Sequence, residues 1–473
     1  MIKNKSRETI HSKSDLVVGT IRGVLGQIVR VQCDQEYRPE LKELLMVSGD
    51  DNVRLEAYAY ENPHTLFCLL LTDVDQIVRG SVVVSTGTQI QIPVGDSALG
   101  RVMDLYGTAI DGGKPIDTEN VRTVYRQQVL TQGMRVVRPH EVLDTGIKSI
   151  DFFTPLLRGG KMALVGGAGV GKTTLQEEIL RNVVYGGEGV SVFAGIGERI
   201  REGHDLWASL RDHNVLDRTA LVFGHINKNA AVRTLTAASA ATLVEYFRDE
   251  AKQDVLFFVD NVFRFLQAGS ELSTLLSELP SEFGYQPTLQ SEIAQFENRL
   301  YSTEDASVTS VQTVYVPADE FGNPAVSATM PHMDAVVVLS RDMTYDGRYP
   351  AIDPFDSTSS ALNPDTVGEL HYKTATEAIE LLDQYKQLSR IVSIVGEEEL
   401  SLENQKKYSR AQKLLNYLTQ SFLSTAVETG RQGVKVTRQT VVGDIKSILD
   451  GLVDDVPADD FLYISDLRSA DLL

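Results

Sequence analysis

Between residues 16 and 93 the apolar positions fall in short alternating runs, at 16–24, 26–33, 53–60, 64–71 and 81–92, separated by brief polar turns. Short β-rich runs at even spacing predict a small closed barrel. The Gly- and Asp-rich stretch 94–113 reads as a loop-rich connection. From about residue 143 the alternation stops. Continuous apolar runs at 161–165, 190–196, 220–226, 255–260, 308–316 and 334–340 alternate with longer helical segments. Such runs are the mark of parallel strands buried on both faces. Beyond about residue 374 the pattern turns helical, most clearly at 381–395 and 405–427. The expected architecture is multidomain: an arm at 1–15, a small β-barrel at 16–93, a RecA-like α/β P-loop nucleotide-binding domain at 94–373 and a helical bundle at 374–473.

Length and charge narrow the class. A chain of 473 residues exceeds what one core holds, which supports several domains. No apolar run approaches the roughly 20 residues a membrane span needs, so membrane contact is expected only through partners. The net charge of −20 argues against a broad nucleic-acid-binding face, which needs basic patches. The polar first fifteen residues lack the apolar stretch of a secretory signal. Cys33 and Cys68 stand outside any ligand-spaced cluster and read as buried small apolar residues of a reducing compartment.

Gly166-Gly167-Ala168-Gly169-Val170-Gly171-Lys172-Thr173 fits G-x-x-x-x-G-K-S/T, with an apolar run before it and a helical stretch from Thr174 onward. In that setting glycines let backbone N–H groups converge on phosphate oxygens at a helix amino terminus. Lys172 supplies a point charge for the β- and γ-phosphates, and the Thr173 hydroxyl is a Mg²⁺ ligand. Asp260 ends the run 255–260. Alone, such a residue is a strand terminator or helix cap; beside a phosphate loop it suits the magnesium shell, through water. Glu198, in the run 197–203, fits two readings equally: a carboxylate that polarises the attacking water, or a member of a surface salt-bridge cluster.

The blocks at 166–173, 197–206, 244–249, 255–265, 267–271, 284–289, 310–319, 349–359 and 367–372 resemble, in order, beta subunits of F-type rotary ATP synthases. The similarity runs from about residue 17 to 461. It implies a Mg²⁺-dependent ATPase binding ATP and ADP. It further implies a hexamer in which this subunit alternates with a homologous noncatalytic (alpha-like) one around a central (gamma-like) shaft. Location at the cytoplasmic face of a membrane, held there by the complex, follows from the same resemblance.

The resemblance gives Glu198 the water-orienting role, and Arg199 and Arg264 the binding of phosphate oxygens. Tyr315 is set near the site. Tyr349 stacks on adenine, with Phe422 on the base side as well; stacking binds a base by its face. The noncatalytic relatives generally carry Gln at the place of Glu198, which marks this chain as catalytic. Vacuolar-type catalytic subunits carry a large insertion before the P-loop for which there is no room.

Departures from the family pattern gather away from the triphosphate. Glu428 stands where a second base-side phenylalanine is expected. The turn Asn227–Ala231 lacks its Glu and prolines, Ser360 replaces an arginine, and the acidic lever loop reads Glu398-Glu399-Leu400-Ser401-Leu402-Glu403-Asn404. These surfaces face neighbours and base, so three readings stand. They are a paralogue driving another membrane-linked machine, an ordinary synthase subunit coupled to an ion gradient, and a noncatalytic nucleotide-binding scaffold.

Overall fold

The computed structural model describes residues 16–34, 37–72, 77–125, 140–184, 189–276, 278–317, 320 and 322–473, the side chains of Asp51, Glu282 and Glu428 excepted. The arm at 1–15 lies outside the described residues.

Six described strands close the barrel in the order Leu16–Leu25, Ile28–Cys33, Thr65–Leu70, Asp50–Asn62, Glu43–Val47 and Val82–Gln89. Each neighbouring pair is antiparallel. Closure leaves no free edge, and Val18, Ile21, Val29, Leu45, Leu55, Leu66 and Cys68 fill the interior. The strand Glu43–Val47 was absent from the sequence expectation. It opens on a buried carboxylate, Glu43, which accepts the Tyr37 hydroxyl at 2.9 Å and also bonds Ser85. A charge facing inward breaks the alternation that reveals a strand.

The central sheet has eight described strands, in the order Thr358–Ser359, Ala335–Val338, Lys161–Gly166, Val308–Tyr315, Val255–Asp260, Val190–Ile196, Thr219–Gly224 and Val102–Met103. All pairs are parallel except the first, which is antiparallel. The six continuous apolar runs of the sequence are six of these strands, and every residue of Val190–Ile196 and Thr219–Gly224 is buried. The two edge strands are only two residues long. One of them, Val102–Met103, arises inside the stretch expected to be a loop.

Barrel and sheet meet at the helix Ala230–Asp249. Its N-cap Asn229 accepts the Val232 N–H at 2.9 Å and donates to the Leu70 carbonyl at 2.7 Å, and the Gln27 side chain accepts the Ala230 N–H. Asn229 belongs to the altered turn noted above; a capping asparagine serves the helix start there.

The carboxy-terminal part packs the helices Glu369–Val395, Leu402–Tyr417 and Arg438–Asp450 around Leu382, Leu414, Tyr417, Val441, Ile445 and Phe461. The helical pattern read at 405–427 is interrupted: the helix ends at Tyr417, and the chain runs irregularly to Thr425 before the short turn Ala426–Thr429. Buried polar side chains account for the break. Gln420 donates to the Gly146 and Val434 carbonyls and accepts the Lys148 N–H. A helix continued through this point would lose those tertiary bonds. The lever loop forms the turn between the first two helices, with Ile394 84% and Leu402 79% exposed.

Candidate active site

Strand order brings the chemistry together. Lys161–Gly166, Val308–Tyr315, Val255–Asp260 and Val190–Ile196 are adjacent and parallel, with Gly166 level with Tyr315 and Gly195 level with Asp260. Their carboxyl ends therefore deliver the phosphate loop, Tyr315, Asp260 and the Glu198 turn to one edge of the sheet. That edge is where open α/β sheets bind ligands.

The loop leaves its strand at Gly166 and enters the helix Lys172–Val184. Gly169 and Gly171 adopt φ of +78° and +90°, the left-handed region that suits glycine. In a loop so curled, backbone N–H groups converge over the helix start, where the helix dipole favours an anion. The Lys172 ammonium folds back on its own loop, donating to the Gly166 carbonyl at 2.8 Å and to the Gly167 carbonyl. It also lies 5.7 Å from the centroid of the Tyr315 ring. A triphosphate would exchange these carbonyls for charged oxygens.

Asp260 is buried, and its hydrogen bonds come from hydroxyls: Thr313 on one oxygen and Thr173, at 3.5 Å, on the other. Burial raises its pKa, while the Lys172 charge opposes the rise. A buried carboxylate facing a helix-start threonine, with hydroxyls as partners, fits a hard cation. Among the described residues no three His, Cys, Asp or Glu side chains converge into a metal cage. Mg²⁺ is usually held without one, by a carboxylate or two together with substrate phosphates and water. Thr173 and Asp260 are the residues that would hold it here.

Glu198 follows the strand Val190–Ile196 and is half-buried. Burial first, then the charges of Asp260 and Glu202, push its pKa well up, and Arg264 pulls it back. Glu198 also hydrogen-bonds Glu202, whose pKa falls correspondingly, so the two titrate as a pair. Gly197 makes room for the arginine. It has φ +70°, and a Cβ there would stand 3.1 Å from the Cβ of Arg264 and 3.3 Å from its Cγ. The stem of Arg264 thus runs against the turn that presents Glu198, and its guanidinium donates to Gln267 at 3.2 Å.

Other expected residues are placed less centrally. Arg199 is 70% exposed, 3.6 Å from Glu202 in an ion pair. Tyr349 is 45% exposed, and its carbonyl accepts the Gln420 N–H at 2.8 Å, which brings its loop beside the segment of Phe422. Phe422 is buried in the apolar cluster that includes Val170, Leu175 and Ile352. The Glu428 side chain lies outside the described residues.

Two family models match consecutive parts of the chain, together residues 146–456. Residues 146–359 match the nucleotide-binding domain of the ATP synthase alpha/beta family, and residues 360–456 match the C-terminal domain of V and A type ATP synthase. The chain belongs to the rotary ATPase family. The sheet edge with Lys172, Glu198 and Asp260 lies within the residues matched to the nucleotide-binding domain, and no described helix is long and apolar enough to cross a membrane.

Sequence reasoning missed several groups that shape the site. Thr313 sits inside a continuous apolar run and gives no signal of its bond to Asp260. Asn261, which accepts N–H groups from Phe263 and, at 3.4 Å, from Tyr315, reads as an ordinary helix cap. Glu202 lay in view within the run 197–203, but its pairing with Glu198 depends on the turn of the helix Ile200–Asp212.

Proposed function

We propose that the chain is the catalytic subunit of a rotary ATPase head, hydrolysing or synthesising ATP with Mg²⁺. The observation that carries the reading is Glu198: a half-buried carboxylate at the sheet edge that holds Lys172, Thr173 and Asp260, flanked by Arg264. In hydrolysis the loop N–H groups and Lys172 bind the β- and γ-phosphates and fix the reacting phosphorus. Glu198, its proton affinity raised by burial, accepts a hydrogen bond from the attacking water and aims it. Arg199 and Arg264 neutralise charge on phosphate oxygens, and Tyr349 and Phe422 line the base side. Mg²⁺, when bound, would neutralise phosphate charge and orient the β- and γ-oxygens. ADP and phosphate are the products; synthesis is the reverse.

The subunit works in a hexamer with a homologous noncatalytic partner and a central shaft, reaching a membrane through the complex. Kinship with the F-type beta subunit rests on the ordered motif blocks. The carboxy-terminal match is to the V and A type, so the F-type assignment rests on those blocks alone; a second reading is a head specialised for another membrane-linked machine. The drifted turn Asn227–Ala231, Ser360 and the lever loop favour that second reading. Purification from the native cell tests both: a proton- or sodium-translocating membrane sector among the co-purifying proteins supports the synthase, and an unrelated membrane assembly supports the specialised head. Glu198→Gln tests catalysis itself: ATP should still bind the assembled complex, and turnover should fall by about 10²–10⁴-fold.

A further inference from the structure

The helix that carries Lys172 and Thr173 also carries a carboxylate with no part in phosphate chemistry. Glu178 lies six residues beyond Lys172 and is fully buried. One of its oxygens accepts the Leu423 N–H at 3.1 Å, and the other accepts the Ser424 N–H at 2.9 Å. The Asn182 amide donates to it at 3.4 Å. Leu423 and Ser424 belong to neither helix nor strand, and they directly follow Phe422. On its other flank the same segment donates the Gln420 N–H to the Tyr349 carbonyl.

A buried carboxylate is costly unless donors satisfy it. An apolar residue would pack a helix against a loop equally well, but it would not fix the loop's backbone. Two N–H groups from consecutive residues, one on each oxygen, do fix it. We infer that Glu178 is a positioning residue whose carboxylate ties the segment bearing Phe422 to the helix bearing Lys172 and Thr173, holding the base side and the phosphate side of one nucleotide in register. This rests on the reading of the sheet edge as a nucleotide site with Phe422 on its base side. The bonds of Glu178 run to protein groups of Leu423, Ser424 and Asn182. Its effect is confined to ligands that engage both ends.

The test compares a ligand with a base and one without. Calorimetric titration of the full chain in the presence of Mg²⁺ gives dissociation constants for ATP and for inorganic tripolyphosphate. In Glu178→Gln one acceptor oxygen becomes an NH₂ that faces an N–H donor. ATP should weaken by roughly tenfold or more, the loss of a hydrogen bond to a charged group. Tripolyphosphate should hold within about twofold, so the ATP preference collapses. Equal weakening of both ligands marks a merely structural role and overturns the inference, as does unchanged ATP affinity. Should Glu178→Gln not fold, Glu178→Asp keeps the charge but is one methylene shorter, and is read by the same ratio. A parent chain that binds neither ligand sinks the nucleotide reading itself. A parent that binds both equally has no base contact to position, and the inference falls alone.

Discussion

The Lys148 ammonium lies 4.3 Å from the centroid of the Tyr417 ring, and it joins the nucleotide-binding part of the chain to the helical part. It donates to the Tyr417 carbonyl and, at 2.9 Å, to the Ile464 carbonyl. Asp444, which accepts the Tyr417 hydroxyl at 2.8 Å and the Leu467 N–H at 3.0 Å, faces the same buried space.

Burial pushes Lys148 down to about 7, against the opposing charges of Asp444 and Asp466. An unfolded chain holds its lysine proton to about pH 10.4. Between these limits the unfolded state binds more protons, so this group makes stability rise with pH across that window. Below about pH 7 both states are charged and its contribution levels off. Lys148→Met removes the titration and leaves two carbonyls without a donor at every pH. The stability gap between parent and variant, from urea denaturation at pH 7 and pH 9.5, should therefore widen at the higher pH. Groups shared by both proteins cancel in that difference, so a constant gap rules the titration out.

Lys172→Ala and Glu198→Gln should fail in different ways. Lys172 donates to loop carbonyls and is free to exchange them for phosphate oxygens, so its removal should weaken ATP binding as well as turnover. Glu198→Gln keeps the shape but replaces a proton-accepting carboxyl oxygen with an amide that cannot take a proton, so binding should persist while turnover is lost. Equilibrium binding and steady-state hydrolysis on the assembled complex separate the cases. Near-parental turnover in Glu198→Gln would remove the assigned role.

Gly197→Ala should cost both stability and turnover. At φ +70° a side chain meets left-handed strain of about 1–2 kcal/mol. The new methyl would also press on the Arg264 stem at 3.1 Å, moving the guanidinium that offsets the raised pKa of Glu198. Thermal unfolding should show a modest drop and kcat a larger one. Unaltered kcat with the expected destabilisation would mean that Arg264 tolerates the shift.

The strands around the site were legible because they are buried on both faces: runs such as Val255–Asp260 carry no competing polar signal. The phosphate loop was legible because its glycines and Lys172 are contiguous. Glu178, Thr313 and Gln420 were not, since each makes a bond that defines its role to a residue far away in the chain: Leu423, Asp260 and Gly146 respectively. The helix end at Tyr417 escaped for the same reason, its cause being tertiary hydrogen bonds from Gln420. The strand Glu43–Val47 was hidden by a buried charge whose partners, Tyr37 and Ser85, come from other parts of the barrel.

Isolated from its complex, the chain should bind Mg-nucleotide and turn it over slowly. Arg199 is exposed and turned to Glu202, and Arg264 is tied to Gln267 beside the Glu198 turn. Lys172 sits at the loop itself. In the proposed hexamer the remaining charge on the γ-phosphate is met by an arginine from the neighbouring noncatalytic subunit. Supplying such a group in trans accelerates phosphoryl transfer by about 10³–10⁵. Hydrolysis by the purified chain should therefore rise by orders of magnitude when the partner subunit is added, with ATP affinity changing much less. The rise should be lost when the partner's arginine is replaced. Full activity in a chain shown to be monomeric by sedimentation would place the whole charge-stabilising set within one subunit and dispose of the trans contribution.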